Sequence, residues 1–285
     1  MDTRLQLIEC PRDAMQGWDS LIPTELKIRY LDSLLKVGFH SLDFGSFVSP
    51  RAIPQMADTR EVIARINWQS SPTRLLAIIA NLRGAEDAVA FKGIRYLGFP
   101  FSVSPTFQFR NTNSSIGESM TRLSEIQECC VKNGKELVVY LSMAFGNPYG
   151  DPYSEEDVLE LARACKSLGI GIISLADTVG LATPAQVSNL AQMLIREMPD
   201  VVIGVHLHSS PAAWREKVEA AWNAGCRRFD GALGGFGGCP MAGNQLVGNM
   251  NTDWLIAYFR EKNALPRMDE QALEESRAMV MELFR

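Results

Sequence analysis

The sequence predicts an α/β protein, a (β/α)8 TIM barrel in one domain over residues 1–285 with extra helices at its C-terminal end. Three observations predict it. Short apolar, β-branched runs alternate with helical patterns along the whole chain. Eight such runs can be drawn, which favours closure over an open doubly wound sheet. The 285 residues exceed by a modest surplus the roughly 250 that a barrel needs.

The strands expected in order are Leu5–Cys10, Ser41–Gly45, Leu75–Ala80, Tyr96–Phe101, Leu137–Ser142, Gly171–Leu175, Val201–Leu207 and Arg228–Leu233. Between them lie helical stripes. Val158, Leu161, Ala162 and Cys165 recur at i, i+3, i+4, i+7, and Gly169 is a C-terminal stop. Thr183-Pro184-Ala185-Gln186 opens the next helix with a capping residue, a proline at the first helical position and a capping-box partner. Val187, Leu190, Ala191 and Leu194 continue its apolar face. The barrel is expected over about residues 5–235. A cysteine loop and closing helices fill 234–285, the helices near Thr252–Glu261 and Asp269–Phe284. No GxGxxG follows the first strand, which removes support for a dinucleotide-binding fold.

A formal charge of -5 gives no reason to expect nucleic acid or an anionic membrane as partner. The opening residues carry no signal-peptide pattern, and no apolar stretch approaches the roughly 20 residues of a membrane span. A soluble cytoplasmic protein is the expectation. Cys10, Cys129, Cys130, Cys165, Cys226 and Cys239 are dispersed without CxxC spacing, a pattern of reduced thiols.

Barrel chemistry collects at the C-terminal ends of the strands. The first strand leads into Arg12-Asp13, the second into Asp43 and Ser46, and the fifth into Tyr140 and Ser142. The sixth brings Ser174 and Asp177, and the seventh brings His206 and His208. Residues two apart on a strand face one way, so both imidazoles point into the barrel mouth. A hydrogen-bonded pair of core histidines is the bland alternative. Asp13 at the adjoining first strand favours a metal site. Two histidines, a carboxylate and a further oxygen suit Mg²⁺ or Mn²⁺ better than zinc, because no cysteine pair completes a tetrahedron. His40 precedes the second strand and reads as structural. Cys239 sits among Gly234, Gly235, Gly237 and Gly238, where a thiol could donate or accept a proton, or be incidental to a tight loop.

Several segments resemble hydroxymethylglutaryl-CoA lyases: Pro11-Arg12-Asp13 with Gln16, Ser46 through Met56, Ser174 through Gly180, Val205-His-Leu-His208, Gly235 through Ala242, and Gly248-Asn249. The resemblance is collinear from about residue 5 to residue 260. It implies the metal ligands Asp13, His206, His208 and Asn249, an enolate-steadying Arg12, and Cys239 as the loop thiol. It implies active-site roles for Asp43 and Asp177. Gln16, Ser46, Asn111, Asn113, Tyr140, Ser142 and Ser174 are the expected substrate contacts. The partner implied is an acyl-CoA thioester, cleaved with Mg²⁺ or Mn²⁺ to acetyl-CoA and acetoacetate.

The chain departs from that pattern. Its first loop, Glu9-Cys-Pro-Arg-Asp13, is one residue shorter than usual, Ala14-Met15 replaces Gly-Leu, and Ser209 stands where Asp is common. Two rivals are an acyl-CoA condensing synthase, whose relatives commonly carry a further C-terminal domain, and a silent relative that binds acyl-CoA or metal without turnover. Barrels often pair, and a homodimer is compatible with the sequence.

Overall fold

A computed structural model describes residues 4–238 and 247–285. Eight parallel strands close into a barrel in sequential order: β1 (Gln6–Glu9), β2 (Ser41–Ser46), β3 (Arg74–Ile78), β4 (Ile94–Ser102), β5 (Glu136–Ser142), β6 (Ile172–Ala176), β7 (Val202–His206) and β8 (Arg228–Gly231). β1 pairs with β8, Gln6 opposite Arg228 and Ile8 opposite Asp230, and so seals the sheet. The strands read as near-continuous apolar runs because one face meets the barrel interior and the other the surrounding helices.

Most expected strand ends shift by one or two residues, and two of the shifts have a clear local reason. β1 stops at Glu9 because Pro11 has no N–H for the ladder and instead opens a short helix, α1 (Pro11–Gln16). Arg12 and Asp13 therefore sit in the first turn of a helix rather than on a strand. β8 stops at Gly231, and Leu233–Gly235 turns as a 3-10 segment with Gly234 at φ 74°.

The outer layer comprises α2 (Thr24–Val37), α3 (Thr59–Arg65), α4 (Leu82–Val89), α5 (Pro105–Thr112), α6 (Ile116–Lys132), α7 (Glu155–Ser167), α8 (Pro184–Glu197), α9 (Trp214–Asn223), α10 (Thr252–Glu261) and α11 (Glu270–Leu283). Thr183 and Gln186 form the expected capping box on α8. The α7 stripe buries Val158, Ala162 and Cys165. Both closing helices are present; Ser276 of α11 bonds Ser33 of α2 at 2.9 Å, and Asp269 N–H donates to Val37 O. Among the described residues, no helix is long and apolar enough to cross a membrane.

Candidate active site

The helical turn after β1 sets the site. Pro11 starts α1 so tightly that consecutive residues Arg12 and Asp13 both lie buried at the mouth of the barrel. Arg12 Nε donates to both Asp43 oxygens, at 3.2 and 3.1 Å, and Nη2 reaches Oδ2 at 2.5 Å. Nη1 donates to Asp13 Oδ1 at 2.9 Å and to Gln16 Oε1 at 2.8 Å. Every nitrogen of the guanidinium is engaged, so the cation is fixed in direction. Burial pushes the Asp43 carboxyl up to about 6 against the pull of Arg12, still below neutrality, so the ion pair persists at pH 7.

β7 ends at His206, and the chain continues extended so that His208 bridges antiparallel to Asn249. The alternation of faces carries across the strand end, and the two Nε2 atoms lie 3.4 Å apart. Asp13 Oδ2 lies 3.8 Å from His206 Nε2. One ligand atom each from Asp13, His206 and His208 lies within 4.8 Å of the others. Burial would raise the Asp13 carboxyl, but Arg12 and then the two imidazoles outweigh it and hold the carboxyl below its ordinary range. Burial and the neighbouring His206 push His208 down to about 3, which keeps its ring nitrogen unprotonated.

A divalent cation fits these residues on one further observation. Asn249 Nδ2 donates to Phe236 O at 2.9 Å, while its Oδ1 is buried with no hydrogen-bond partner among the described residues. A carboxylate, two imidazoles and an amide oxygen form a donor set suited to such an ion.

A cavity of about 390 Å³ opens over this cluster. Arg12, Asp13, Gln16, Asn111, Tyr140, Ser142, His206 and His208 line it, joined by Phe107 and Arg110 of α5 and Thr178. The other expected residues stand elsewhere. Asp43 backs Arg12. Ser46 is buried and its hydroxyl accepts from Val48 N–H at 3.2 Å. Ser174 is buried in the barrel interior. Asn113 is exposed and ends α5 at a left-handed φ of 49°. Asp177 lies behind the cavity, where Lys217 of α9 donates to its Oδ2 at 2.8 Å and to His208 O at 2.9 Å. Burial raises the Asp177 carboxyl despite that lysine. His40 lies at the N-terminal end of β2, stacked on Tyr96, away from these groups.

Cys239 lies outside the described residues. Both stems of its loop are described, and both press on the site. A Cβ on Gly237, at φ 84°, would stand 2.6 Å from Asp13 O, and one on Gly248 would stand 2.5 Å from Gly235 O. Only glycine allows that approach.

Sequence reasoning missed three residues here. Asp230 of β8 accepts from His206 Nδ1 at 3.3 Å, which aims Nε2 at Asp13. Lys217 shares a helical stripe with buried Val218 and Ala221, and a lysine on that stripe was the available signal. Glu9 is fully buried; its two oxygens accept from Leu233 N–H at 2.8 Å and Thr252 Oγ1 at 2.5 Å.

Residues 4–280 match the HMGL-like family model. The (R)-citramalyl-CoA lyase of Chloroflexus aurantiacus is 32% identical over 92% of this chain and 85% of its own length. The hydroxymethylglutaryl-CoA lyase YngG of Bacillus subtilis is 33% identical over 86% of this chain and 81% of its own. Among solved structures, an HMG-CoA lyase from Acinetobacter baumannii, in complex with coenzyme A and 3-methylmalate, superposes with a TM-score of 0.90. It is 32% identical, over 99% of this chain and 92% of that one. These relatives are lyases acting on CoA thioesters. With a closed eight-stranded barrel and a family match over nearly its whole length, the chain belongs to the HMGL-like family.

Proposed function

We propose that this chain is a divalent-metal-dependent carbon–carbon lyase that cleaves 3-hydroxy-3-methylglutaryl-CoA to acetyl-CoA and acetoacetate. The convergence of Asp13, His206 and His208 beside a fixed Arg12 in one cavity, with the buried, unpartnered Oδ1 of Asn249 on the segment bridged to His208, carries the reading. Mg²⁺ or Mn²⁺ held by these four residues would acidify and orient the C3 hydroxyl.

The chain's own groups do the rest. The hydroxyl proton passes to one of the two basic groups beside it, Asp13 or His206. The C2–C3 bond then breaks, and its electrons move onto the thioester as an enolate. Arg12 faces that oxygen with a permanent charge whose orientation Asp43, Asp13 and Gln16 have already set, so little reorganisation is needed. Cys239 supplies the proton that converts the enolate to acetyl-CoA. Asp177, paired with Lys217, holds the His208 segment in place. Arg110 and Asn111 at the cavity rim are placed to meet the coenzyme A moiety.

A second reading has its own support in the (R)-citramalyl-CoA lyase relative. Citramalyl-CoA is one methylene shorter, and the same bond cleavage would release pyruvate. The test measures acetoacetate and pyruvate release from the two thioesters with Mg²⁺, Mn²⁺ or EDTA, on wild type and Cys239→Ser. Metal-dependent acetoacetate release that falls by orders of magnitude in the variant supports the assignment. Pyruvate release alone favours the second reading, and no release from either thioester defeats both.

A further inference from the structure

The two candidate histidine ligands lie on and just past β7, but the other two stand outside the sheet: Asp13 in α1, and Asn249 after the cysteine loop. One aromatic ring joins the segments that carry them. Phe284, which ends α11, stacks on Phe236 with ring centroids 4.3 Å apart and planes 17° apart. It also meets Trp18 edge-on at 5.1 Å. Trp18 and Phe236 close the triangle at 6.4 Å. All three rings are half-buried, packed against the edge of the core rather than inside it.

Each ring leads to a ligand. A Cβ on Gly234, at φ 74°, would stand 2.6 Å from the Phe236 ring, so Gly234 and Phe284 together seat that ring. A seated ring fixes its own backbone, and the Phe236 carbonyl accepts from Asn249 Nδ2 at 2.9 Å. A carbonyl can only accept, so this bond identifies the amide nitrogen and leaves Oδ1 as the atom free for a cation. A Cβ on the next residue, Gly237, would stand 2.6 Å from Asp13 O and 3.0 Å from Asn249 Nδ2, so this backbone presses on both ligand residues. On the other side, Trp18 N–H donates to Met15 O at 3.0 Å, which ties its ring to the end of α1.

We propose that Phe284 is a positioning residue for the metal centre: through Phe236 and Trp18 it sets Asn249 and Asp13 against the two histidines. The inference rests on the metal-ligand set above and is indifferent to which acyl group the cavity takes. The histidines keep their own supports, β7 for both and Asp230 for His206. Removing the Phe284 ring should therefore weaken the hold on the cation without abolishing it.

The test is Mn²⁺ titration calorimetry, with urea unfolding of the metal-free protein, on the full chain as wild type, Phe284→Ala, Phe284→Tyr and Leu273→Ala. Leu273 is buried in the same helix, roughly 16 Å along it from Phe284, and serves as the packing control. Phe284→Ala should bind Mn²⁺ about tenfold more weakly, the low end of the scale for groups that orient ligands from behind. Phe284→Tyr keeps the ring and should bind as wild type does. Leu273→Ala should lose stability yet keep its Mn²⁺ affinity. Should Phe284→Ala not fold, Phe236→Leu removes the ring stack while keeping apolar bulk, and the same fall is expected. Unchanged Mn²⁺ affinity in the ring variant overturns the proposal. So does a loss that Leu273→Ala reproduces, which would make the effect one of general destabilisation. A wild type that binds no Mn²⁺ defeats the metal reading and this inference with it; tight binding indifferent to the ring defeats the inference alone.

Discussion

The interior of the barrel is built from two unlike halves. On β3 to β6, inward-facing Leu76, Ile78, Tyr96, Val138, Tyr140 and Ile172 pack as one apolar cluster. On β7, β8, β2 and the turn after β1, the same interior holds His206, Arg228, Asp230, Asp43, Arg12 and Asp13. Both halves are buried to a similar degree, but they are held differently. The apolar half gains from area removed from water and has no directional demand. The charged half has a directional answer for almost every group: Arg12 to Asp43 and Asp13, and Asp230 to His206. The proposed chemistry draws on the directional half, and the apolar half supplies the wall against which it is set.

Breaking one member of each half should therefore give different kinds of damage. The largest effect is expected from Arg12→Met. Losing a preorganised cation at the developing enolate should lower kcat by about 10²–10³, the scale for one oxyanion donor. Asp43 then loses its counter-ion, and its carboxyl should rise further from about 6. Steady-state kinetics, with circular dichroism as a fold control, measures this; a near-normal kcat would remove Arg12 from the mechanism. Leu76→Ala in the apolar half should instead cost about 2–5 kcal/mol of stability through cavity formation. Thermal or urea unfolding reads that loss, and kcat well below the melting temperature should barely move. A large kcat loss in the folded variant would mean that the two halves are coupled more tightly than their separate packing suggests. Asp230→Asn lies between them. It keeps shape but removes the charge that orients His206, and Mn²⁺ affinity should fall by about 10–100-fold. Titration calorimetry showing unchanged affinity would assign the His206–Asp230 contact to packing alone.

The two halves were also unequally legible. The apolar strands declare themselves by composition, and all eight were placed within a few residues of their true ends. The His206-x-His208 pair was legible because a two-residue period needs no knowledge of the fold. Arg228 and Asp230 share that period, in Arg-Phe-Asp-Gly, but spacing gives a common face and not which face it is. Phe229 packs outward against Phe259 of α10, and that contact turns the two charges inward. Nothing local in the sequence specifies it. Arg12 and Asp13 were found as residues, while the short helix that presents them, opened by Pro11, was not anticipated after the first strand.

Glu9 offers the smallest effect and the finest test, since it lies at the seam between β1 and the stem of the cysteine loop. Burial pushes its carboxyl up to about 8, against hydrogen bonds from Thr252 and Leu233 that lower it; nearby Asp253 adds to the rise. A folded pKa above the unfolded value means that Glu9 is buried neutral. Its contribution to stability is complete below about 4.5 and is lost as pH rises through about 8. Glu9→Gln imitates the neutral acid, keeping an acceptor for Leu233 N–H. Below about pH 4.5 the substitution should therefore change stability by about 1 kcal/mol or less. Between about pH 4.5 and 8 the wild type should lose stability that the variant keeps, and the two unfolding midpoints should separate in the variant's favour. Midpoints that run parallel across that range would mean that Glu9 is ionised in the folded protein, its charge held by the Leu233 and Thr252 donors alone. The seam between the halves would then be ionic rather than neutral.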